Sequence, residues 1–348
     1  MDTLLNRNLI LQKDGFIFKT ICNPKGAFAE YHVLSYFVNN PIYRVPRPVL
    51  FNAKQKTVQL PYLNGVLLIT LLRQIDDLIN YEQLPSDNGR QVINNLITRS
   101  IDDLTVFQSN TEVLLKGFPP NLVQVYSYQK NFCVALKTLA RLSGIDLMLD
   151  SELFVEATNI GQVLESEAKV LYRDAGLYNQ LTVFPKKTEP RLWLLHQFKH
   201  FEPTSISQSI YNQTFNIDFE TAYQFICPAD DYAFIVESPV SQPYSKTLRT
   251  RCLAIFKDLY YLAVIYRYIR VAARHTEYLI LNPLLYLKRY EHYGSAQSET
   301  PLYYLDIAKE ALASLHTFNP KFSYNHLHDF LTDVKKRLTL LNQVNLNS

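Results

Sequence analysis

Glycine is scarce in this chain, with 9 among 348 residues. That excludes collagen-like repeats and folds built on glycine-rich loops. Cysteine is thin as well. Cys22, Cys133, Cys227 and Cys252 stand apart, and no two share CxxC spacing. Neither a zinc ribbon nor a redox dithiol is indicated, and a reducing, cytoplasmic setting is expected. Charge of one sign is also missing. With 35 Lys and Arg against 32 Asp and Glu the formal net charge is +3, too small to mark a nucleic-acid binder. The longest apolar stretches, Val66–Leu72 and Leu259–Tyr266, fall far short of the roughly 20 residues of a membrane span. Asp2, Arg7 and Lys13 leave no apolar segment of the kind a signal peptide needs.

What the chain has in quantity is apolar and aromatic mass. Hydrophobic residues make up 47%, with 24 Tyr and 20 Phe. That is a globular composition, and the length suits about two domains or two lobes. The N-terminal pattern is β-like. Leu9–Leu11 and Phe16–Lys19 flank Asp14-Gly15, a strong hairpin signal. Phe28, Tyr31, Leu34 and Phe37 then recur at helical spacing, and Pro41, Pro46 and Pro48 force an extended segment. Val49–Phe51 and Val58–Tyr62 read as further strands, and Asn64-Gly65 as a turn. Beyond residue 65 helical periodicity dominates: Val92 to Phe107, Leu153 to Leu171, Arg249 to Arg274, Leu302 to Phe318 and His328 to Leu341. Between them, Leu192–Leu195 and Phe215–Asp218 look like strands.

The order of a few polar residues carries the chemistry. Lys19 ends a hairpin strand, and Glu30 lies on the next helix. Asn216-Ile217-Asp218-Phe219-Glu220-Thr221-Ala222-Tyr223 follows far downstream, and then Pro228-Ala229-Asp230-Asp231-Tyr232-Ala233. In this order the chain resembles the aminoglycoside phosphotransferase and choline kinase branch of the protein-kinase-like fold. The resemblance spans roughly residues 8–235 and is strongest at "NIDFETAY" and "PADDYA". It implies an α+β, two-lobed architecture. A small antiparallel-sheet N-lobe would cover residues 1–64. A large, mainly helical C-lobe would cover 65–348, with a catalytic-loop region at 192–233 and an acceptor side at 249–348.

The resemblance also implies roles. ATP and Mg²⁺ would be the cofactors, and a small-molecule hydroxyl would be the acceptor. Lys19, fixed by Glu30, would hold phosphates, and nucleotide would lie against Leu60, Tyr62 and Leu63. Asp218 would present hard oxygen to the metal, with Glu220 as a second carboxylate. An ordinary strand-end Lys and a helix-surface Glu are the plainer alternative for Lys19 and Glu30. A helix N-cap is the plainer alternative for Asp218 and Glu220. Asp231 would brace the catalytic loop.

That loop follows the family pattern hGDxxxxNi. Upstream of Asp218 the best match is Lys199-His200-Phe201-Glu202-Pro203-Thr204-Ser205-Ile206. It puts His200 in place of the catalytic Asp and Ser205 in place of the metal-binding Asn. A second register, starting at His196, has no base at all. Imidazole has a suitable pKa near 6.5, but phosphate beside it favours the imidazolium, which accepts no proton. Two functions therefore stand side by side. One is ATP-dependent transfer to a hydroxyl with altered catalysis. The other is a pseudokinase that binds nucleotide or a protein partner. A helical interaction protein is a third. His326-Leu327-His328 reads as surface, and Arg249, Arg251, Arg267, Arg270 and Arg274 give the long C-terminal helix a basic cast.

Overall fold

The computed structural model describes residues 9–81, 83–146, 151–185, 188–238, 241, 244–281 and 300–346, with backbone alone for 341–346. In chain order the elements are β1 (Leu9–Lys13), β2 (Phe16–Thr20), α1 (Pro24–Phe37), β3 (Leu50–Asn52), β4 (Thr57–Pro61) and β5 (Gly65–Leu67). Helices α2 (Leu68–Asn80), α3 (Ser86–Ser109) and α4 (Thr111–Leu115) follow, then β6 (Gln124–Val125), α5 (Tyr128–Ser143), α6 (Ser151–Ser166), β7 (Val170–Leu171) and β8 (Gln180–Val183). The last part holds α7 (Pro190–His200), α8 (Pro203–Tyr211), β9 (Thr214–Asn216), β10 (Gln224–Ile226), α9 (Pro228–Val236), α10 (Lys246–Phe256), α11 (Asp258–Leu281), α12 (Pro301–Phe318) and α13 (Asn325–Leu346).

Two compact units emerge. The first takes residues 1–125, 169–225 and 243–245; the second takes 126–168, 226–242 and 246–348. The boundary expected at residue 64 falls inside the first unit. The architecture is α+β, as expected, with a small antiparallel sheet at the N-terminus and helices prevailing afterwards.

In the first unit, β1 and β2 form the expected hairpin, with Lys13 opposite Phe16. Asp14 and Gly15 both have positive φ, 52° and 79°, as a two-residue primed turn requires. The sheet continues in the order β1-β2-β4-β3. Helix α1 starts because Asn23 caps it, accepting from the Lys25 N–H at 2.9 Å, and because Pro24 fits the first turn. Its buried face meets a core of Ile21, Val33, Leu34, Phe37, Tyr43, Val58, Phe107 and Phe219. A second sheet has the order β5-β8-β9, and a third β6-β10-β7. The second unit packs α11 beside α5, α9 and α12.

Three expectations need correction. Leu192–Leu195 is not a strand but the middle of α7. A short apolar run fits either state, and Pro190 in the first turn starts a helix here. Arg249 to Arg274 is not one helix. It divides into α10 and α11 at Lys257, whose φ is 51°. The periodicity from Leu153 does not reach Leu171 as helix, because α6 ends at Ser166 and Leu171 belongs to β7. The basic cast of the Arg249–Arg274 stretch is also partly spent internally. Arg249 makes two 2.6 Å bonds to Glu237, and the Arg267 Nε sits 2.8 Å from Asp230.

Candidate active site

Lys19 is the fourth residue of β2 and is 7% exposed. Strand alternation sends it to the inner side of the sheet, where α1 packs. Glu30 comes from the buried face of α1. The Lys19 Nζ lies 3.4 Å from Glu30, 2.5 Å from Asp218 and 3.3 Å from Glu220. Sequence order thus becomes contact: four side chains spread over two hundred residues share one spot. The second Glu30 oxygen accepts the Phe219 N–H, which ties helix α1 to the segment after β9.

One ammonium faces three carboxylates. Burial alone would lower the Lys19 pKa, but Glu30, then Asp218 and Glu220, outweigh it and hold the ammonium above the ordinary lysine range. Burial pushes the Glu30 carboxyl up, and Lys19 opposes that shift. The cluster keeps an excess of negative charge, which a divalent cation would offset.

Asp218 has φ of 67°, the left-handed region that side chains other than glycine rarely enter. Such strain is kept only where the surroundings enforce it, and it gathers at functional sites. Phe219 is the anchor that enforces it. Its ring is buried beside Tyr43 and Phe107, with ring centroids at 6.2 and 5.9 Å.

The loop before β8 holds residues that the sequence reading passed over. Leu171-Tyr172-Arg173-Asp174-Ala175-Gly176-Leu177-Tyr178-Asn179-Gln180 carries an Asp, four residues and an Asn, the spacing of the hGDxxxxNi pattern. Its Asn179 lies 39 residues before Asp218, where Ser205 lies 13, because Phe184 to Gln213, with α7 and α8, stands between the paired strands β8 and β9. Asp174 is half-buried, with φ of 51°, and its Oδ1 accepts the Tyr172 hydroxyl at 3.0 Å. Asn179 donates its amide N–H to the Asp174 carbonyl at 2.7 Å. Its side-chain oxygen takes no hydrogen bond from any described residue and is available as a ligand. The backbone then ties this loop to the segment after β9: the Ile217 N–H donates to the Asn179 carbonyl at 3.0 Å.

The residues of the expected catalytic loop stand elsewhere in the fold. His200 is the last residue of α7 and Ser205 lies in α8, both exposed. Among the described residues neither is hydrogen-bonded or ion-paired to Lys19, Glu30, Asp218 or Glu220. The His200 ring instead rests against His196, one helical turn earlier, at 4.6 Å. Residues 190–200 and 203–211 form two helices, α7 and α8, between strands β8 and β9.

The remaining candidates are placed as follows. Leu60 is the last residue but one of β4 and packs on the core, while Tyr62 and Leu63 follow the strand. The Tyr62 N–H donates to the Gly15 carbonyl at 2.9 Å, which ties this segment to the hairpin turn. In the second unit, Asp230 accepts the Tyr128 hydroxyl at 2.9 Å, and Asp231 is fully buried, 4.0 Å from Arg267. His326 and Leu327 donate backbone N–H groups to Glu156, so this stretch is a capped helix start.

Among the described residues no three His, Cys, Asp or Glu side chains form a ready metal cage. Mg²⁺ does not need one. It commonly takes one or two carboxylates and completes its octahedron with phosphate oxygens and water. Asp218, Glu220 and the Asn179 amide oxygen are hard donors of that kind, so the residues fit. No helix among the described residues is long and apolar enough to cross a membrane.

No family model matches the chain, and no curated protein matches it either. Solved structures do align with it. The GDP complex of wild-type aminoglycoside 2'-phosphotransferase-IIIa covers 88% of this chain and 90% of its own, at 13% identity and a TM-score of 0.43. Choline kinase LicA from Streptococcus pneumoniae covers 91% and 92%, at 8% identity and a TM-score of 0.42.

Proposed function

We propose that the protein is a small-molecule phosphotransferase that moves the terminal phosphoryl group of ATP, with Mg²⁺, to an acceptor hydroxyl. The observation that carries this reading is the convergence of Lys19, Glu30, Asp218 and Glu220 beside an Asp174–Asn179 loop. Phosphoryl transfer asks a protein chiefly for positioning and charge neutralisation. Lys19, held by Glu30, would bind nucleotide phosphates. Asp218, Asn179 and Glu220 would hold Mg²⁺, which supplies neutralisation of the phosphate charge. Asp174 would orient the acceptor hydroxyl and take its proton. Leu60, Tyr62 and Leu63 would face the base of the nucleotide.

The pseudokinase alternative arose from a loop without an acid. The phosphotransferase reading assigns the acid to Asp174 and the amide to Asn179, in place of His200 and Ser205. The test is Mg²⁺-dependent ATP binding by calorimetry, for wild type and Asp218→Asn. Asparagine tolerates positive φ, so this substitution removes charge without breaking the backbone. Binding that the substitution abolishes supports the reading. Absence of binding by the folded wild type overturns it and leaves a scaffold.

A further inference from the structure

The loop pattern has Gly immediately before its Asp, and this chain has Arg173 there. The exchange is drastic in volume and charge, yet the side chain is 2% exposed. Every direction of its fork is used. The Nε donates to the Tyr43 hydroxyl at 2.8 Å. One terminal nitrogen donates to the Asp218 carbonyl at 3.3 Å. The other donates to the Asn179 carbonyl at 3.1 Å and to the Asn216 Oδ1 at 3.4 Å. The guanidinium carbon stands 4.3 Å from the centre of the Phe219 ring, within cation–π range. The Asp103 carboxylate lies beyond Asn216, which donates to it at 2.9 Å.

Two of those acceptors matter most. The carbonyls of Asn179 and Asp218 belong to two of the three residues placed on the metal, and one rigid guanidinium holds both. Asp218 is in a strained conformation, and a bond to its carbonyl opposes the relaxation of that strain. Only Arg has donors in a fixed planar fork that can reach acceptors on several sides. A lysine offers a point charge, and glycine offers nothing.

We propose that Arg173 is a positioning residue that locks the Asp218 segment to the Asn179 loop and thereby sets the geometry of the metal site. This rests on the phosphotransferase reading. Groups that orient metal ligands typically affect metal affinity by about 10- to 100-fold. Arg173→Lys keeps the charge but loses the fork. It should weaken Mn²⁺ binding to the protein–ADP complex within that range, as read by the signal of free Mn²⁺ in electron paramagnetic resonance. In turnover the apparent constant for Mg²⁺ should rise by the same factor, while the KM for the acceptor stays unchanged.

A buried Arg variant can fail to fold, so Tyr43→Phe is the companion. It deletes one hydroxyl that orients the guanidinium and keeps the ring in the core. About a tenfold loss of Mn²⁺ affinity is expected from it, the low end of that range. Wild-type Mn²⁺ affinity in a folded Arg173→Lys, or in Tyr43→Phe if the first does not fold, overturns the proposal and leaves the phosphotransferase reading intact. A wild-type protein that binds no metal–nucleotide overturns both.

Discussion

The Lys19 ammonium and the Asp218 carboxylate, 199 positions apart in sequence, meet at 2.5 Å. Their contact joins the N-terminal sheet to the segment after β9, and Glu30 closes the triangle from α1. Lys19→Met should therefore do more than remove a phosphate ligand. It leaves Glu30, 1% exposed, as a buried acid without its cation. Breaking a buried pair from one side costs about 3–5 kcal/mol. Lys19→Met with Glu30→Gln should recover part of that loss, and neither variant should bind nucleotide. Urea unfolding of the single and double variants checks the first expectation, and calorimetry the second.

Asp174 and His200 are rival bases with opposite outcomes. Asp174→Asn preserves the positive φ and should cut the transfer rate by about 10²–10⁴-fold, the usual worth of a general base, with nucleotide binding retained. His200→Ala, on the exposed end of α7, should turn over like wild type. Rates of ATP consumption with a panel of hydroxyl acceptors separate the two. The reverse pattern would return the role of base to the helix.

Gly26 permits the close approach of α1 to the metal segment. A Cβ there would meet the Glu220 carbonyl oxygen at 2.7 Å, and a backbone atom cannot swing aside. Gly26→Ala should cost about 1–3 kcal/mol, as overpacking does. It should also weaken Mg²⁺–nucleotide binding, because Glu30 and Glu220 would be pushed apart. The melting temperature and a nucleotide titration read the two effects.

Asp103 gives a pH signature. Burial raises its pKa, against the opposing hydrogen bonds from Asn216 and Tyr211. A raised carboxyl pKa means that the folded protein binds the proton more tightly than the unfolded chain does. The stabilisation is complete below the unfolded value, about 3.9, and is lost as pH rises through the folded value above it. Asp103→Asn mimics the protonated form at every pH. The melting temperature of wild type relative to this variant should fall as pH climbs from about 4 towards neutrality. A difference independent of pH would show that Asp103 titrates normally.

Much of the site was legible because its signals are local. Asp14-Gly15 fixed the hairpin and so the strand that carries Lys19. The spacing of Phe28, Tyr31, Leu34 and Phe37 fixed the helix that carries Glu30. The Asn216–Tyr223 stretch stood out as an acidic segment after a strand. The loop was missed for an equally local reason. Helical periodicity from Leu153 runs on in the sequence to Leu171, and that reading covers the entrance to Tyr172-Arg173-Asp174. Just upstream of Asp218 stand α7, α8 and β9.

The sequence by itself determined the order of the chemistry: Lys before Glu before Asp, on a hairpin strand, a helix and a strand end. Turn residues, caps and apolar spacing act over a few neighbours, so these elements follow from local sequence alone. Only tertiary structure decided which residues stand beside the Asp218 segment. Strands β8 and β9 pair across a thirty-residue connection, and hydrogen bonding between strands is indifferent to the length of chain that joins them. That pairing sets Asn179 beside Ile217 and leaves His200 outside, a choice that no spacing along the sequence could make.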